Sequence, residues 1–199
     1  MSVRLTRDLV AEGCSHNELA QRTRAGVLTR VRRGAYVDGW PSDPTVRHLR
    51  LVEATWQLNA VDAVVSHLSA AVVHGLPVAS TSLGPVQLTR DNAPGGKIRG
   101  AVHLYATTLD ADEVIELQGL RVTSLARTVV DVGRMVSFEQ SVMTGDAALR
   151  LGLTGPQLQA CLGRSTRRPG VACIRAGRAW STLSPLRYVE PAAAGSTSE

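Results

Sequence analysis

The sequence of 199 residues has no long apolar run, no secretion signal and no pair of neighbouring cysteines. No stretch approaches the ~18 apolar residues that span a membrane, and the N-terminus lacks the apolar core of a signal peptide. Cys14, Cys161 and Cys173 are far apart, so they indicate neither a zinc site nor a disulfide framework. These absences predict a cytoplasmic protein that holds no metal and no cofactor and does not associate with a membrane.

Arginine, by contrast, is concentrated in the first quarter of the chain. Residues 1–50 hold nine arginines and five acidic residues, whereas residues 51–199 hold thirteen basic and twelve acidic residues. Most of the net charge of +5 therefore lies in the N-terminal quarter. This asymmetry favours a nucleic-acid-binding module that is joined to a nearly neutral domain.

A helix followed by a β-hairpin is predicted after a first short helix. Ser15 and Glu18 have the spacing of a capping box, in which each side chain bonds the backbone N–H of the other residue. Gly26 is well placed to end the helix in the left-handed conformation. Beyond it the pattern changes to period two, and residues 33–34 provide the turn of a two-stranded hairpin. The order of these elements predicts a winged helix-turn-helix over residues 1–40.

The predicted helix and hairpin carry side chains that suit DNA. The amides of Asn17 and Gln21 can pair with adenine, and the Arg24 guanidinium can pair with guanine. The hairpin arginines are placed to contact phosphates, and no acidic residue lies among the five arginines of this stretch. The alternative is that these arginines merely form a solvated face. The residues that we predict to bind DNA are His16, Asn17, Gln21, Arg22, Arg24, Arg30, Arg32 and Arg33.

A turn-rich linker at residues 38–44 separates this unit from a second apolar pattern. That pattern predicts a mixed α/β domain over residues 45–182, which begins with an amphipathic helix. The small and polar residues 183–199 predict a disordered tail. The predicted fold class is therefore α+β. Strands are predicted at residues 62–66, 85–89, 101–105, 113–117 and 120–122, and a loop tip is predicted at residues 91–97.

Candidate catalytic groups are sparse in the second domain. His67 and His74 flank a predicted helix, but they are two helical turns apart and no nearby carboxylate completes a triad or a zinc site. We therefore interpret both histidines as structural. Arg127 and Asp131 are four residues apart on a later predicted helix and can pair along it. Such a pair contributes on the order of tenths of a kcal/mol if it is exposed.

Four motifs and their order resemble one known family. They are residues 19–37 with Val-Arg-Arg-Gly-Ala-Tyr-Val at 31–37, Val-Ser-His-Leu-Ser-Ala-Ala-Val-Val-His-Gly-Leu-Pro at 65–77, Val-Gln-Leu-Thr-Arg at 86–90, and Leu-Arg-Val-Thr-Ser-Leu-Ala-Arg-Thr-Val-Val-Asp at 120–131. Residues 146–150 and 168–171 continue the series. The order and spacing resemble the AbiEi-like antitoxins of type IV toxin–antitoxin systems. The resemblance covers roughly residues 4–182.

The resemblance implies a winged helix-turn-helix followed by an antitoxin domain. Antitoxins of this family repress their own operon and oppose a nucleotidyltransferase-type toxin. The expected function is therefore that of a DNA-binding transcriptional autorepressor and antitoxin, not an enzyme. The expected partners are its own operator, as double-stranded DNA, and the cognate toxin.

Longer relatives that look like this chain carry a further domain resembling very-short-patch-repair endonucleases. Residues 184–190 resemble the opening of that domain, and the chain stops nine residues later. The carboxylates and the lysine of such a nuclease cannot fit in this remainder, so we expect no nuclease activity. The alternative is a truncated nuclease-family relative or a hydrolase remnant without retained activity, for which His67, His74 and His103 are the candidate residues.

Contact with the toxin is expected from exposed basic groups of the second domain. A toxin of this type would carry acidic metal ligands in its cleft, which a basic surface can approach. We also expect residues 45–182 to fold and act without the N-terminal unit, because the linker separates two apolar patterns. The residues that we predict to bind this partner are Arg90, Lys97, Arg99, Arg164, Arg167 and Arg168.

Overall fold

The computed structural model describes residues 3–59, 62–91 and 95–165. Within these residues the chain forms seven α-helices and two β-sheets, so the predicted mixed α+β class is confirmed. The tail predicted at residues 183–199 lies outside the described residues. In the described part of the chain, no helix is long and apolar enough to cross a membrane.

The first unit contains β1 (Arg4–Leu5), α1 (Thr6–Ala11), α2 (His16–Arg24), β2 (Leu28–Arg32) and β3 (Ala35–Asp38). Its strands form an antiparallel sheet with the order β1-β3-β2. A two-residue turn joins β2 to β3, which confirms the predicted hairpin. The two helices connect β1 to β2 and pack on one face of this sheet.

Local hydrogen bonds define both ends of α2. The Ser15 hydroxyl accepts from the N–H of Glu18 at 3.2 Å, and the Glu18 carboxylate accepts from the N–H of Ser15 at 2.7 Å, which confirms the capping box. At the other end Gly26 has a φ of +72°, and the N–H of Val27 donates to the carbonyl of Arg22. In this Schellman geometry, glycine adopts the left-handed conformation without a steric penalty. The sequence of α2 therefore fixes both its start and its end.

The small sheet is covered on both faces. Leu5 pairs with Ala35 on one face, and the neighbouring Tyr36 points to the other, because successive strand residues alternate. α1 and α2 cover the Tyr36 face, and the helix that follows the hairpin covers the Ala35 face. The core on the Tyr36 face contains Leu9, Cys14, Leu19 and Leu28. The core on the Ala35 face contains Val3, Leu5, Val37 and Ala54.

That following helix, α3 (Pro44–Asn59), packs against both sheets of the protein. Ala54 is fully buried in the core of the first unit, and Val52 is fully buried in the core of the second sheet. Residues two positions apart on a helix are separated by about 200°, so the two side chains point in opposite directions. The predicted linker at residues 38–44 precedes α3, and the domain boundary placed there stays a prediction.

In the part of the chain that the structure describes, the second sheet has six strands: β4 (Val64–Val65), β5 (Val86–Arg90), β6 (Lys97–Arg99), β7 (Val102–Ala106), β8 (Val114–Leu117) and β9 (Leu120–Thr123). Their order is β6-β7-β5-β4-β9-β8, with β5 parallel to β7, β4 parallel to β9, and the other neighbours antiparallel. The sequence predicts all of these strands except β6. The loop tip predicted up to Lys97 is wrong at its end, because Lys97 pairs with Leu104 at the sheet edge.

The remaining helices are α4 (His67–Val73), α5 (Leu125–Val132), α6 (Phe138–Arg150) and α7 (Gly155–Arg164). The Ser124 hydroxyl caps α5, and the Thr154 hydroxyl caps α7. α4 is buried along its whole length. Its Ala70 packs into the core of the second sheet, and its Leu68 packs into a separate core with α5, α6 and the residues around them.

Candidate nucleic-acid interface

The outward face of α2 carries polar side chains. Leu19 is buried against the first sheet, whereas Asn17 and Gln21 are exposed. Each of these amides lies two residues from Leu19, which is about 200° around the helix. Arg24 is also exposed, on the same side, about 140° from Leu19. One helix face thus presents two amides and a guanidinium, the groups that hydrogen-bond to adenine and guanine edges.

His16 and Arg22 are exposed on the two flanks of Leu19, each about 60° from it around the helix. Glu18 is the acidic residue of α2, and its hydrogen bond to the N–H of Ser15 lowers the pKa of its carboxyl. The carboxylate is therefore ionised at neutral pH, and it lies close enough to Arg22 to interact with its charge. Glu18 offsets part of the positive charge of α2, so the hairpin arginines are needed to make the surface basic.

The three hairpin arginines point in different directions. Arg30 and Arg33 are exposed, but Arg32 is half-buried and its Nη1 donates to the Thr55 hydroxyl of α3 at 2.5 Å. Burial lowers the pKa of Arg32. The structure thus separates Arg32 from the other seven predicted DNA-binding residues, all of which are exposed.

A β-bulge in β2 turns Arg32 inward. Arg30 pairs with Tyr36 and Arg32 pairs with Ala35, so Val31 is an extra residue on β2. Arg32 consequently lies on the Ala35 face, which α3 covers, and Arg30 lies on the Tyr36 face. Regular alternation would place Arg30 and Arg32 on one face. The bulge has no signature in the apolar pattern, so sequence reasoning groups the two arginines together.

The predicted partner-binding residues are only partly exposed. Lys97 and Arg99 are exposed on β6, at one edge of the second sheet. Arg90 is half-buried at the end of β5. Arg167 and Arg168 lie outside the described residues. The accessible pair in the described structure is therefore Lys97 and Arg99.

Arg164, the remaining predicted partner-binding residue, is engaged by acidic residues. Its Nε lies 3.1 Å from an oxygen of Asp110, and its Nη2 lies 3.0 Å from an oxygen of Asp112. These residues lead into β8, the edge strand opposite β6. Arg164 and Lys97 therefore lie near opposite edges of the second sheet, and the predicted basic groups do not form one surface.

A buried ion-pair network lies next to Arg164. The Nη1 of Arg127 is 2.6 Å from a Glu113 oxygen, and its Nε is 2.8 Å from an Asp131 oxygen. The exposed fractions of Arg127, Glu113 and Asp131 are 1%, 3% and 1%. Burial opposes the charge of Arg127, but the two carboxylates outweigh it and raise the pKa of the guanidinium. Burial likewise opposes ionisation of Glu113, but Arg127, the N–H of Asp110 and the Cys161 thiol together outweigh it and lower the pKa of Glu113.

Only the pair on α5 of this network is predictable from the sequence. The spacing of Arg127 and Asp131 predicts their pairing, which is confirmed, but the pair is buried rather than on the surface. Glu113 comes from a segment 14 residues away, which spacing along a helix cannot reveal. The sequence does contain one sign that this pair is buried. Val129 and Val130 are adjacent and so lie on different sides of α5, and apolar residues on several sides indicate a helix that is buried all round.

Two histidines of the second unit stack on a tyrosine ring, and a third bonds to the backbone. The ring centroids of His67 and Tyr105 are 3.8 Å apart, and those of Tyr105 and His103 are 4.0 Å apart. Burial lowers the pKa of His67 to about 4, so it is neutral at pH 7. The Nε2 of His74 donates to the Thr123 carbonyl at 2.8 Å. Among the described residues, no group of three or more His, Cys, Asp and Glu side chains could hold a metal ion.

Comparison with known proteins gives a likeness of fold. Neither a protein-family model nor a curated protein matches the sequence. Among solved structures, the crystal structure of RV2827C protein from Mycobacterium tuberculosis is similar, with a TM-score of 0.55 and 15% sequence identity. The match covers 92% of this chain and 72% of that chain. At this identity the likeness concerns the architecture alone.

Proposed function

We propose that the first unit is a winged helix-turn-helix that binds duplex DNA, with α2 as recognition helix and the β2–β3 hairpin as wing. The observation that carries this proposal is the exposure of Asn17, Gln21 and Arg24 on the face of α2 opposite Leu19. A helix in the major groove reads bases through such a face. The exposed Arg30 then contacts the adjacent backbone.

Phosphate contacts supply affinity in this proposal, and α2 supplies specificity. Arg22, Arg30 and Arg33 are exposed cations that can neutralise phosphates and release counterions. Contacts to phosphates carry no sequence information by themselves. Arg32 has a different role, because its hydrogen bond to Thr55 fixes the hairpin against α3.

The experiment for base readout compares two glutamines. Gln21→Ala should cost about 1–3 kcal/mol on the preferred duplex and far less on a shuffled duplex. Gln159→Ala, which removes an exposed glutamine of α7, is the control and should change neither affinity. The duplexes come from the promoter region of the gene that encodes the chain, and fluorescence anisotropy gives the affinities. Equal losses on both duplexes would contradict base readout by α2.

We propose further that the whole chain is a cytoplasmic autorepressor and antitoxin of a type IV toxin–antitoxin system. This proposal rests on the order of the four motifs that resemble AbiEi-like antitoxins. The toxin is a nucleotidyltransferase, whose acidic cleft attracts a basic surface. Lys97 and Arg99 are the partner-binding residues we retain, because they are exposed on an edge strand, whereas Arg164 is paired with Asp110 and Asp112.

Co-expression with the toxin tests the antitoxin role. A heterologous promoter drives both genes, so repression of the native operon cannot account for protection. We expect the full chain to restore growth, and the double variant Lys97→Ala and Arg99→Ala to lose this effect. Arg121→Ala, which removes an exposed cation of β9, is the control and should protect normally. Full protection by the double variant would contradict the assigned surface, and no protection by the unmodified chain would contradict the antitoxin role.

A further inference from the structure

An apolar stripe runs along one side of α6. Phe138 is 44% exposed, Leu149 is 40% exposed, and Val142 between them is half-buried. These three side chains point within about 40° of one another, because residues four and eleven positions apart return to nearly the same direction around a helix. We call them the α6 stripe. Exposed apolar side chains that are grouped, rather than scattered singly, indicate an interaction surface.

The α6 stripe is separate from the side on which α6 packs against the rest of the second unit. Ala148 is fully buried in the core that α6 shares with α4 and α5. Thr144 is 2% exposed and donates from its hydroxyl to the Pro77 carbonyl at 3.1 Å. Both residues lie about 100–140° from the centre of the stripe around the helix. α6 is therefore held through one side, and the stripe stays partly open to solvent in the described part of the chain.

Acidic side chains border the outer edge of the α6 stripe. Glu139 and Asp146 are exposed about 60–80° from its centre, on the side away from Thr144 and Ala148. Asp146 forms an ion pair with Arg150, so the border as a whole keeps a negative charge. Charge complementarity favours some partners of a surface over others. The stripe therefore suits an occupant that is both apolar and basic.

The described chain ends beside the start of the α6 stripe. The Nη2 of Arg134 donates to the carbonyl of Ser165, the residue after α7, at 3.1 Å. Arg134 is four residues before Phe138, and four residues span at most about 14 Å. Residues 166–199 therefore begin within reach of the stripe.

The sequence beyond Ser165 contains a segment of the required kind. Residues 171–182 are rich in alanine and arginine, a composition that favours a helix. Cys173 and Trp180 are seven residues apart and would share one side of such a helix, whereas Arg175 and Arg178 would lie about 140–160° away. This segment contains no acidic residue. Its pattern is that of an amphipathic helix with one apolar and one basic side.

We propose that residues 171–182 bind along the α6 stripe of the same chain as an amphipathic helix, with Trp180 and Cys173 against the stripe. An aromatic side chain buries about 150–250 Å², so Trp180 provides the largest contact. The positive charge of the segment complements the acidic border of the stripe. The second unit then extends to residue 182, the boundary that the sequence predicts. This contact is independent of the DNA and toxin proposals, and its test requires neither of them.

A photoreactive side chain on the α6 stripe identifies what covers it. p-Benzoylphenylalanine replaces Phe138 in the full chain, and mass spectrometry identifies the peptides that are cross-linked after irradiation. We expect cross-links to residues 171–182 of the same chain. The control carries the same group in place of Met143, which is 60% exposed but lies about 120° from the centre of the stripe, and it should not cross-link to this segment.

The alkylation rate of the Cys173 thiol measures how firmly the segment is bound. Cys14 and Cys161 are buried, and mass spectrometry separates their modification from that of Cys173. Phe138→Ala and Leu149→Ala each shorten the stripe, and each should speed the reaction of Cys173 with iodoacetamide about tenfold, which corresponds to about 1.4 kcal/mol of lost binding. Met143→Ala is the matched control and should leave the rate unchanged. Circular dichroism verifies that all three variants are folded.

Three results would overturn the proposal. A covalent dimer formed from position 138 would show that the α6 stripe is an interface between two copies of the chain. No cross-link from position 138 would show that the stripe is open to solvent. Equal cross-linking from positions 138 and 143, or an unchanged rate for Cys173 in the folded Phe138→Ala and Leu149→Ala variants, would show that residues 171–182 do not bind the stripe.

Discussion

Two sets of arginines, one in each unit of the chain, lie in opposite environments. In the first unit Arg22, Arg30 and Arg33 are exposed on α2 and the hairpin. In the second unit Arg127 is 1% exposed and lies between the carboxylates of Glu113 and Asp131. An exposed guanidinium is available to a phosphate, whereas a buried one between two carboxylates holds secondary structure elements together. The position of the acidic residues therefore distinguishes a binding surface from a structural network.

Arg32 lies between these two extremes. It belongs to the basic hairpin in sequence, but it is half-buried and its partner is the neutral hydroxyl of Thr55. A guanidinium held in this way contributes to the attachment of the hairpin to α3. We expect its loss to affect the stability of the protein more than its contacts with phosphates.

The largest effect is expected when the buried network loses its cation. Arg127→Ala removes the cation nearest to the buried carboxylates of Glu113 and Asp131, and the more distant Arg164 and Arg134 compensate them only in part. This loss should lower the free energy of unfolding by about 3–5 kcal/mol. Urea denaturation followed by circular dichroism measures this change. Arg150→Ala removes the exposed partner of Asp146 and should change stability by no more than about 0.5 kcal/mol. Similar small losses for both variants would show that the network does not stabilise the fold.

The next effect concerns buried histidines and pH. Burial lowers the pKa of His48 and that of His67 from 6.5 to about 4. Between these values the unfolded chain binds protons that the folded chain does not, so stability is complete above about pH 6.5 and falls towards about pH 4. Each histidine contributes up to about 1.4 kcal/mol per pH unit in this range.

The variant His67→Asn isolates one of these contributions. Asparagine tolerates the φ of +54° at this position, so the backbone conformation is retained. Urea denaturation between about pH 4.5 and about pH 6 should give a pH dependence that is smaller than that of the unmodified chain by up to about 1.4 kcal/mol per unit. An unchanged dependence would mean that His67 is not neutral in the folded protein.

Local features of this fold are predictable from the sequence, and features that depend on distant contacts are not. The capping box of Ser15 and the left-handed Gly26 depend on neighbouring residues, and the structure confirms both. The inward turn of Arg32 depends on a bulge, and the burial of Arg127 depends on Glu113, 14 residues away. The sequence therefore predicts both arginines to be exposed, whereas the structure buries Arg127 and half-buries Arg32. Only tertiary packing decides which side of a strand or helix is covered.

The smallest stability effect is expected at the start of α2. Ser15→Ala removes the acceptor for the N–H of Glu18 and should cost about 1 kcal/mol. Because the cap positions the helix that carries Asn17 and Gln21, DNA affinity should fall together with the melting temperature. Ser15→Asp keeps an acceptor at this position and should restore the melting temperature. A loss of the same size in Ser15→Asp would argue against the capping role.

The salt dependence of the DNA binding that we propose compares the exposed and the half-buried arginines most directly. The measurement is the slope of the logarithm of the association constant against the logarithm of salt concentration, for the unmodified chain, Arg33→Ala and Arg32→Ala. Each phosphate contact contributes about 0.9 to this slope. We predict that Arg33→Ala loses about one unit of slope, while Arg32→Ala keeps the slope and unfolds at lower urea concentration. If Arg32→Ala loses slope and Arg33→Ala keeps it, Arg32 and not Arg33 contacts a phosphate, which contradicts the account. Binding that does not depend on salt would contradict phosphate recognition by the first unit.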